Sequence, residues 1–160
     1  MRLLIGAVGR MKSGPESQLL DRYCDRIRKT GRTLGIGTLA QREIAESRAA
    51  RPQARRDEEA TGLLAALAPG GMVVSLDETG RDEGSLDFAR RIETGLGDGT
   101  PEIAFLIGGP DGHGAEIAGR AHHLLRFGRA TWPHQFVRVM LAEQLYRAVT
   151  ILSGHPYHRA

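Results

Sequence analysis

Two kinds of apolar pattern alternate along the chain. Short unbroken runs, RLLIGAV at 2–8, MVVSL at 72–76 and IAFLI at 103–107, show no polar face and predict strands buried on both sides. Between them, apolar residues recur at helical spacing. Leu19, Leu20, Tyr23, Cys24 and Ile27 follow the Gly14-Pro15 break, with Gly31 as the stop; Leu63, Leu64 and Leu67 lie in a segment that Pro52 opens; Leu86, Ala89, Ile92 and Leu96 follow Ser85, a suitable N-cap. A weaker strand is expected over 34–39, a turn over DETGR at 77–81 and a short helix from about Ala115 to Arg126. The longest patterned stretch is Thr131 to Thr150, with Thr131 as N-cap and Pro133 in the first turn. At about 100° per residue, Val137, Met140, Leu141, Leu145, Ala148, Val149 and Leu152 cover roughly half of that helix. Phe136, Val139 and Tyr146 lie opposite, which predicts one face for the core and one for a second subunit. Alternating strands and helices in a single domain of 160 residues predict a mainly parallel α/β sheet with helices on both faces.

Composition changes this picture little. With 41% hydrophobic and 26% charged residues the chain reads as globular. No run approaches the roughly eighteen apolar residues of a membrane span, and the start MRLLIGAVGRMK is too short and glycine-rich for a secretory signal. A cytoplasmic protein is expected. The single Cys24 has neither disulfide partner nor metal-ligand spacing and reads as a small buried residue. The net charge is only +3, yet the cations are 20 arginines against 2 lysines. Arginine forks suit phosphates and base edges, so the bias permits an RNA partner without requiring one. In the charge-rich stretch from Arg42 to Ala60 the reading favoured is a solvated helix face; the other is an RNA-facing role for Arg51, Arg55 and Arg56.

Candidate chemistry sits after the strands, because open parallel sheets bind ligands beyond their carboxyl ends. IGGPDGHG follows the IAFLI strand, and its glycines Gly108 and Gly109 allow close backbone approach, although a purely structural turn would look the same. The loop matches neither the dinucleotide GxGxxG register nor a P-loop, so a dinucleotide or triphosphate site is poorly supported. Asp77 and Glu78 read as a solvated pair. His134 is a candidate general base, since imidazole ordinarily titrates near roughly 6.5; a satisfied buried histidine is the alternative. Arg138, one turn on, continues the apolar stripe and so needs a partner or a ligand. His122 and His123, adjacent on the expected helix, point about 100° apart and make no metal site. No metal is expected.

Together these segments carry a resemblance. LDETGR, then FLIGGPDG, then TWPHQFVRVMLAEQLYRA, then the C-terminal HPYHR, with VGRMKSGPE and YCDRI upstream, resemble the ribosomal RNA large-subunit methyltransferase H family, a SPOUT-class group, over essentially the whole chain. Three departures stand out. Trp132 occupies the place of the family's usual Leu, Gln135 follows the histidine as in part of the family, and the glycine loop reads DGHG where others have Gly-Leu. The resemblance implies transfer of a methyl group from S-adenosylmethionine to N3 of a pseudouridine in 23S rRNA of the ribosome. It also implies a SPOUT-type α/β fold with a C-terminal trefoil knot, which general expectation about chain topology disfavours, and a homodimer. Carried over by position, the cofactor contacts are Leu76, Gly108, Gly109 and the run Phe127, Gly128, Arg129, Ala130, Thr131 and Trp132. His134 and His158 are then candidate bases, Arg138 a helper for developing charge, and Tyr157 and Arg159 RNA contacts. Other readings are a non-catalytic ribosome or RNA-binding module, a nucleotide-dependent oxidoreductase, and a knotted methyltransferase acting on tRNA.

Overall fold

A computed structural model describes residues 1–158; Arg159 lies outside the described residues. Five strands, β1 (Arg2–Val8), β2 (Thr38–Ile44), β3 (Met72–Asp82), β4 (Glu102–Ile107) and β5 (His123–Arg126), form one all-parallel sheet in the order β2-β1-β4-β3-β5. Five helices connect and cover it: α1 (Pro15–Gly31), α2 (Pro52–Leu64), α3 (Ser85–Gly97), α4 (Ala115–Arg120) and α5 (His134–Leu152).

Strand pleating explains why the continuous runs were apolar throughout. Leu3, Ile5 and Ala7 of β1, with Ile103, Phe105 and Ile107 of β4, face one layer shared with α1, α3 and α5. Leu4 and Val8, with Ala104 and Leu106, face the other layer, against Ala60 and Leu63 of α2 and Ile117 of α4. Cys24 lies in the first layer, fully buried, and desolvation pushes its thiol up to about 12, so it acts as an apolar filler.

Four elements differ from the sequence expectation. The weak strand begins at Thr38 instead of Leu34, because 32–34 close a single 3₁₀ turn and Gly35, at φ 86, redirects the chain. The DETGR turn belongs to β3, which continues to Asp82. The helix expected to reach Arg126 stops at Arg120, and residues 123–126 are the fifth strand. His122 and His123 are therefore not helical neighbours; His122 accepts the Val73 amide at its Nδ1 (3.0 Å) and His123 opens β5. Helix α5 starts at His134 behind Pro133, with Thr131 in the preceding loop. On the side expected to meet a second subunit, Tyr146 is buried and packs on Tyr23 of α1, Val139 is half-buried and Phe136 is exposed.

β3 and β5 make the feature that shapes the site. Val74, Ser75 and Leu76 pair with residues 123–125, residues 77–80 bow outward, and Arg81 and Asp82 return to pair with Leu125 and Arg126. The return is so close that a Cβ at Gly80 would lie 2.6 Å from the Leu125 carbonyl carbon. β3 thus wraps the edge strand from two sides, in the half of the chain where the resemblance locates its knot.

Candidate active site

The carboxyl ends of β3, β4 and β5 open into one cleft of about 780 Å³, bounded also by the first turn of α5. Each wall has a local cause. From β4, the chain enters a tight turn in which the Gly112 amide donates to the Gly109 carbonyl (2.9 Å), with Pro110 at its second position and Gly112 at φ 74. Gly108 and Gly109 sit in crowded surroundings: a Cβ would stand 3.0 Å from the Gly112 backbone in one case and 2.9 Å from Glu59 Oε2 in the other. Arg55 grips the turn from α2 through a fork onto Asp111 (2.6 and 3.1 Å), which holds that carboxyl below the usual carboxylate range. His113 is tied back to β4 through Nε2 and the Leu106 carbonyl (3.1 Å). Burial lowers its pKa, partly opposed by that bond, so the ring is neutral with its proton on Nε2.

The opposite wall runs from Phe127 to Trp132. Trp132 Nε1 donates to the Phe127 carbonyl (3.0 Å), closing the segment on itself while the indole stays 45% exposed. Asp82, at the end of β3, accepts from the Gly128 amide (3.1 Å) and from both arms of Arg126. Leu76, Leu125, Ile107 and Val137 supply apolar surface between the walls; Asp77, Glu78, Arg56 and Arg129 supply charge.

Every residue carried over as a cofactor contact, Leu76, Gly108, Gly109 and Phe127 to Trp132, lines this cleft, and His134 stands at its mouth. Arg138 does not line it. The residue is 3% exposed, and its guanidinium donates to Glu43 (2.6 Å) and to the Val8 and Gly9 carbonyls (2.8 and 2.7 Å), clamping the start of α5 to the end of β1. Tyr157 and His158 are elsewhere. Tyr157 lies on Tyr146 (centroids 4.7 Å), donates to Glu143 (3.1 Å) and sits beneath the Arg147 guanidinium, which also reaches His158 Nδ1 (3.4 Å). Burial, with Tyr23 and Glu143 beside it, raises the Tyr157 pKa and keeps the phenol protonated. At 1.5 Å per residue, Arg147 is about 20 Å along α5 from His134. One chain therefore does not bring the tail and the cleft together.

Sequence reasoning passed over Asp77, Glu78, His113, Arg56 and Val137 as cleft residues. Asp77 and Glu78 had an available signal, since they follow a buried strand directly at its carboxyl end. Val137 was legible only as core.

The size and lining suit a ligand of nucleoside dimensions, with apolar walls for a ring and convergent polar groups at the rim. Open space above the glycines at 112 and 128, where an added Cβ meets nothing within 4 Å, leaves backbone accessible on both walls. Asp77 and Glu78 fit a cationic group on such a ligand.

Residues 1–158 match the family model described as "Predicted SPOUT methyltransferase". The chain is 52% identical over 160 residues to ribosomal RNA large subunit methyltransferase H of Xanthobacter autotrophicus, and 50% identical over 160 residues to the protein of that name from Rhizobium meliloti; both alignments cover all of each chain. Among solved structures, a probable methylase family protein from Haemophilus influenzae superposes with a TM-score of 0.51 at 10% identity, covering 99% of this chain and 70% of that one, which is a likeness of fold.

Proposed function

Since the chain belongs to the SPOUT methyltransferase family, we propose that it methylates N3 of a pseudouridine in 23S rRNA of the large ribosomal subunit, with S-adenosylmethionine as methyl donor. The observation that carries the reading is the cleft between the glycine turn and the 127–132 loop, at the strand ends where a parallel sheet takes its ligand. The cofactor supplies an activated methyl group on a sulfonium. Leu76, Leu125 and Val137 would hold its adenine between apolar walls, exposed backbone of the two loops would offer hydrogen bonds, and Asp77 and Glu78 would answer its positive charge. Methyl transfer is an in-line displacement, so rigid walls matter more than a strong base. The glycine turn is rigid through Arg55 and Asp111, and the 127–132 loop through Asp82 and Trp132.

The N3 proton must leave, and we assign its removal to His134, which lines the cleft from the first turn of α5. Arg138 holds that turn of α5 in place from beneath. His158, Tyr157 and Arg159 act on a second copy's cleft or not at all, because the first two lie about 20 Å from His134 in their own chain. A homodimer answers this geometry. Trp132 and Phe136, 45% and 46% exposed, with half-buried Val139 and Met140, leave an apolar stripe running from the cleft mouth along α5 for the partner to cover. A cytoplasmic location follows from the substrate.

The test is methyl transfer from labelled S-adenosylmethionine to large subunits or whole ribosomes lacking the modification, with tRNA transcripts in parallel and the product nucleoside identified by mass spectrometry. Incorporation at pseudouridine in 23S rRNA, lost in His134→Ala with cofactor affinity intact, is the expected result. Cofactor binding without transfer to any ribosomal particle refutes the substrate; transfer to tRNA alone redirects it.

A further inference from the structure

An all-parallel sheet puts the loops after every strand on one edge, so the segments following β1 and β2 open on the same side as the cleft. Those segments carry Arg10 and Lys12 after β1, and Arg48 and Arg51 after β2, all four exposed. Among the described residues none of the four forms an ion pair. The neighbouring carboxylates are engaged: Glu43 takes Arg138 and the Met11 amide, Glu59 takes the Ser47 amide, Glu58 takes the Ser47 hydroxyl, and Asp111 takes Arg55. Glu46, beside Gly9, and Glu16, in the first turn of α1, are the exceptions.

The same bonds make the two segments one rigid ledge joined to the cleft. The Gly9 amide donates to the Ile44 carbonyl (2.8 Å) and the Met11 amide to Glu43 (2.7 Å), fastening the β1 loop to β2. Arg55 donates to the Ala49 carbonyl (3.0 Å) and forks onto Asp111, fastening the β2 loop to the glycine turn. Arg55 is thus spent on structure, while Arg56 beside it lines the cleft. From Lys12 through Arg51 the ledge ends at the cleft lip.

We infer that this ledge is the docking surface for substrate rRNA, its four free cations seating phosphates of the strand flanking the target nucleotide. The inference rests on the rRNA reading of the cleft and adds the surface that recognises the substrate. It explains how a chain of net charge +3 engages a polyanion: the cations are unneutralised on the one edge where the substrate must enter. Arginine at three of the four positions suits phosphate forks, and fixed loop backbones reduce the ordering cost of contact.

The experiment uses the full-length protein with ribosomal substrate across a range of salt. Arg10→Gln/Lys12→Gln, Arg48→Gln/Arg51→Gln and the quadruple variant are compared with wild type and with Lys29→Gln/Arg32→Gln, which removes two charges from the opposite edge of the sheet. Each phosphate contact contributes about 0.7 to 0.9 to the slope of log affinity against log salt. Each ledge pair should therefore flatten that slope by about 1.4 to 1.8, and the quadruple variant should raise KM for the ribosomal substrate at least about tenfold at moderate salt. The turnover number at saturation, S-adenosylmethionine affinity and melting temperature should stay at wild-type values, and the control pair should behave as wild type. Unchanged KM and slope in the quadruple variant overturns the ledge while leaving the methyltransferase reading standing, as does an equal effect in the control pair. Wild-type protein that transfers no methyl group to ribosomal particles removes both.

Discussion

Gly80→Ala is the sharpest test of how the fold builds the site. A methyl group there would stand 2.6 Å from the Leu125 carbonyl carbon, 2.7 Å from its nitrogen and 2.8 Å from the Leu124 carbonyl carbon. Ordinary contact begins near 3.4 Å, so the return of β3 must retreat from β5 by most of an ångström. No side chain can absorb this, since all three atoms are backbone. Overpacking of a tight site costs typically about 1–3 kcal/mol, and the absence of a flexible neighbour places this one near the top, about 3 kcal/mol. With a urea m-value of about 2 kcal/mol/M, the midpoint should fall by about 1.5 M. The assay is urea denaturation at fixed protein concentration, with unfolding and refolding curves coinciding, beside calorimetric titration with S-adenosylmethionine. Affinity should fall too, because Leu76 and Leu125 on either side of the clash wall the cleft. Gly97→Ala is the control: in the last turn of α3, with nothing within 4 Å, alanine should be neutral or stabilising by roughly 0.5–1 kcal/mol. A Gly80→Ala protein with wild-type midpoint and affinity would refute the wrap of β3 around β5.

Three further outcomes follow from the same geometry. Arg138→Gln strands the Val8 and Gly9 carbonyls and should cost about 2–4 kcal/mol in thermal denaturation, with Arg138→Lys recovering only part because one ammonium cannot span three acceptors. Asp111→Asn should barely move the melting temperature yet weaken S-adenosylmethionine binding severalfold by calorimetry, since the Arg55 fork orders the glycine turn from a solvent-facing position. His113 has its folded pKa depressed by burial, so the unfolded chain binds the proton first. Wild-type stability should be complete above the ordinary value of 6.5 and decline as pH falls below it, and His113→Leu should lose that component of the pH dependence in urea titrations run from pH 7.5 to 5.

How much of this was legible depends on how local each cause is. β1, β4 and the first half of β3 announced themselves because both faces are buried, which makes the run apolar without interruption. β2 was displaced in the reading because it is an edge strand, with Leu39 as its single fully buried residue, and so carries no period. β5 was hidden in an expected helix: four residues with one buried leucine hold strand geometry only because β3, some fifty residues earlier in the chain, pairs with them twice. At the site the same rule applies. Gly108 and Gly109 were visible as a loop permitting close approach, but the atom that approaches Gly109 is a carboxylate of α2, and nothing near IGGPDGHG in sequence points to Glu59 or Arg55.

Arg138 marks the limit most clearly. Its position within an apolar stripe required that its charge be answered, by a partner or by a ligand, and the pattern left both open. The answer lies at the end of β1, some 130 residues away in sequence, where two carbonyls have run out of strand partners and Glu43 stands beside them. The guanidinium thereby ties the helix that presents His134 to the end of β1, an inner strand of the sheet, and the same Glu43 fastens the loop bearing Arg10 and Lys12. One ion pair, between buried Arg138 and exposed Glu43, thus sets both the position of the base at the cleft mouth and the start of the ledge that seats the RNA. Loosening Arg138 should therefore disturb catalysis and substrate affinity together, whereas the exposed ledge cations move affinity alone.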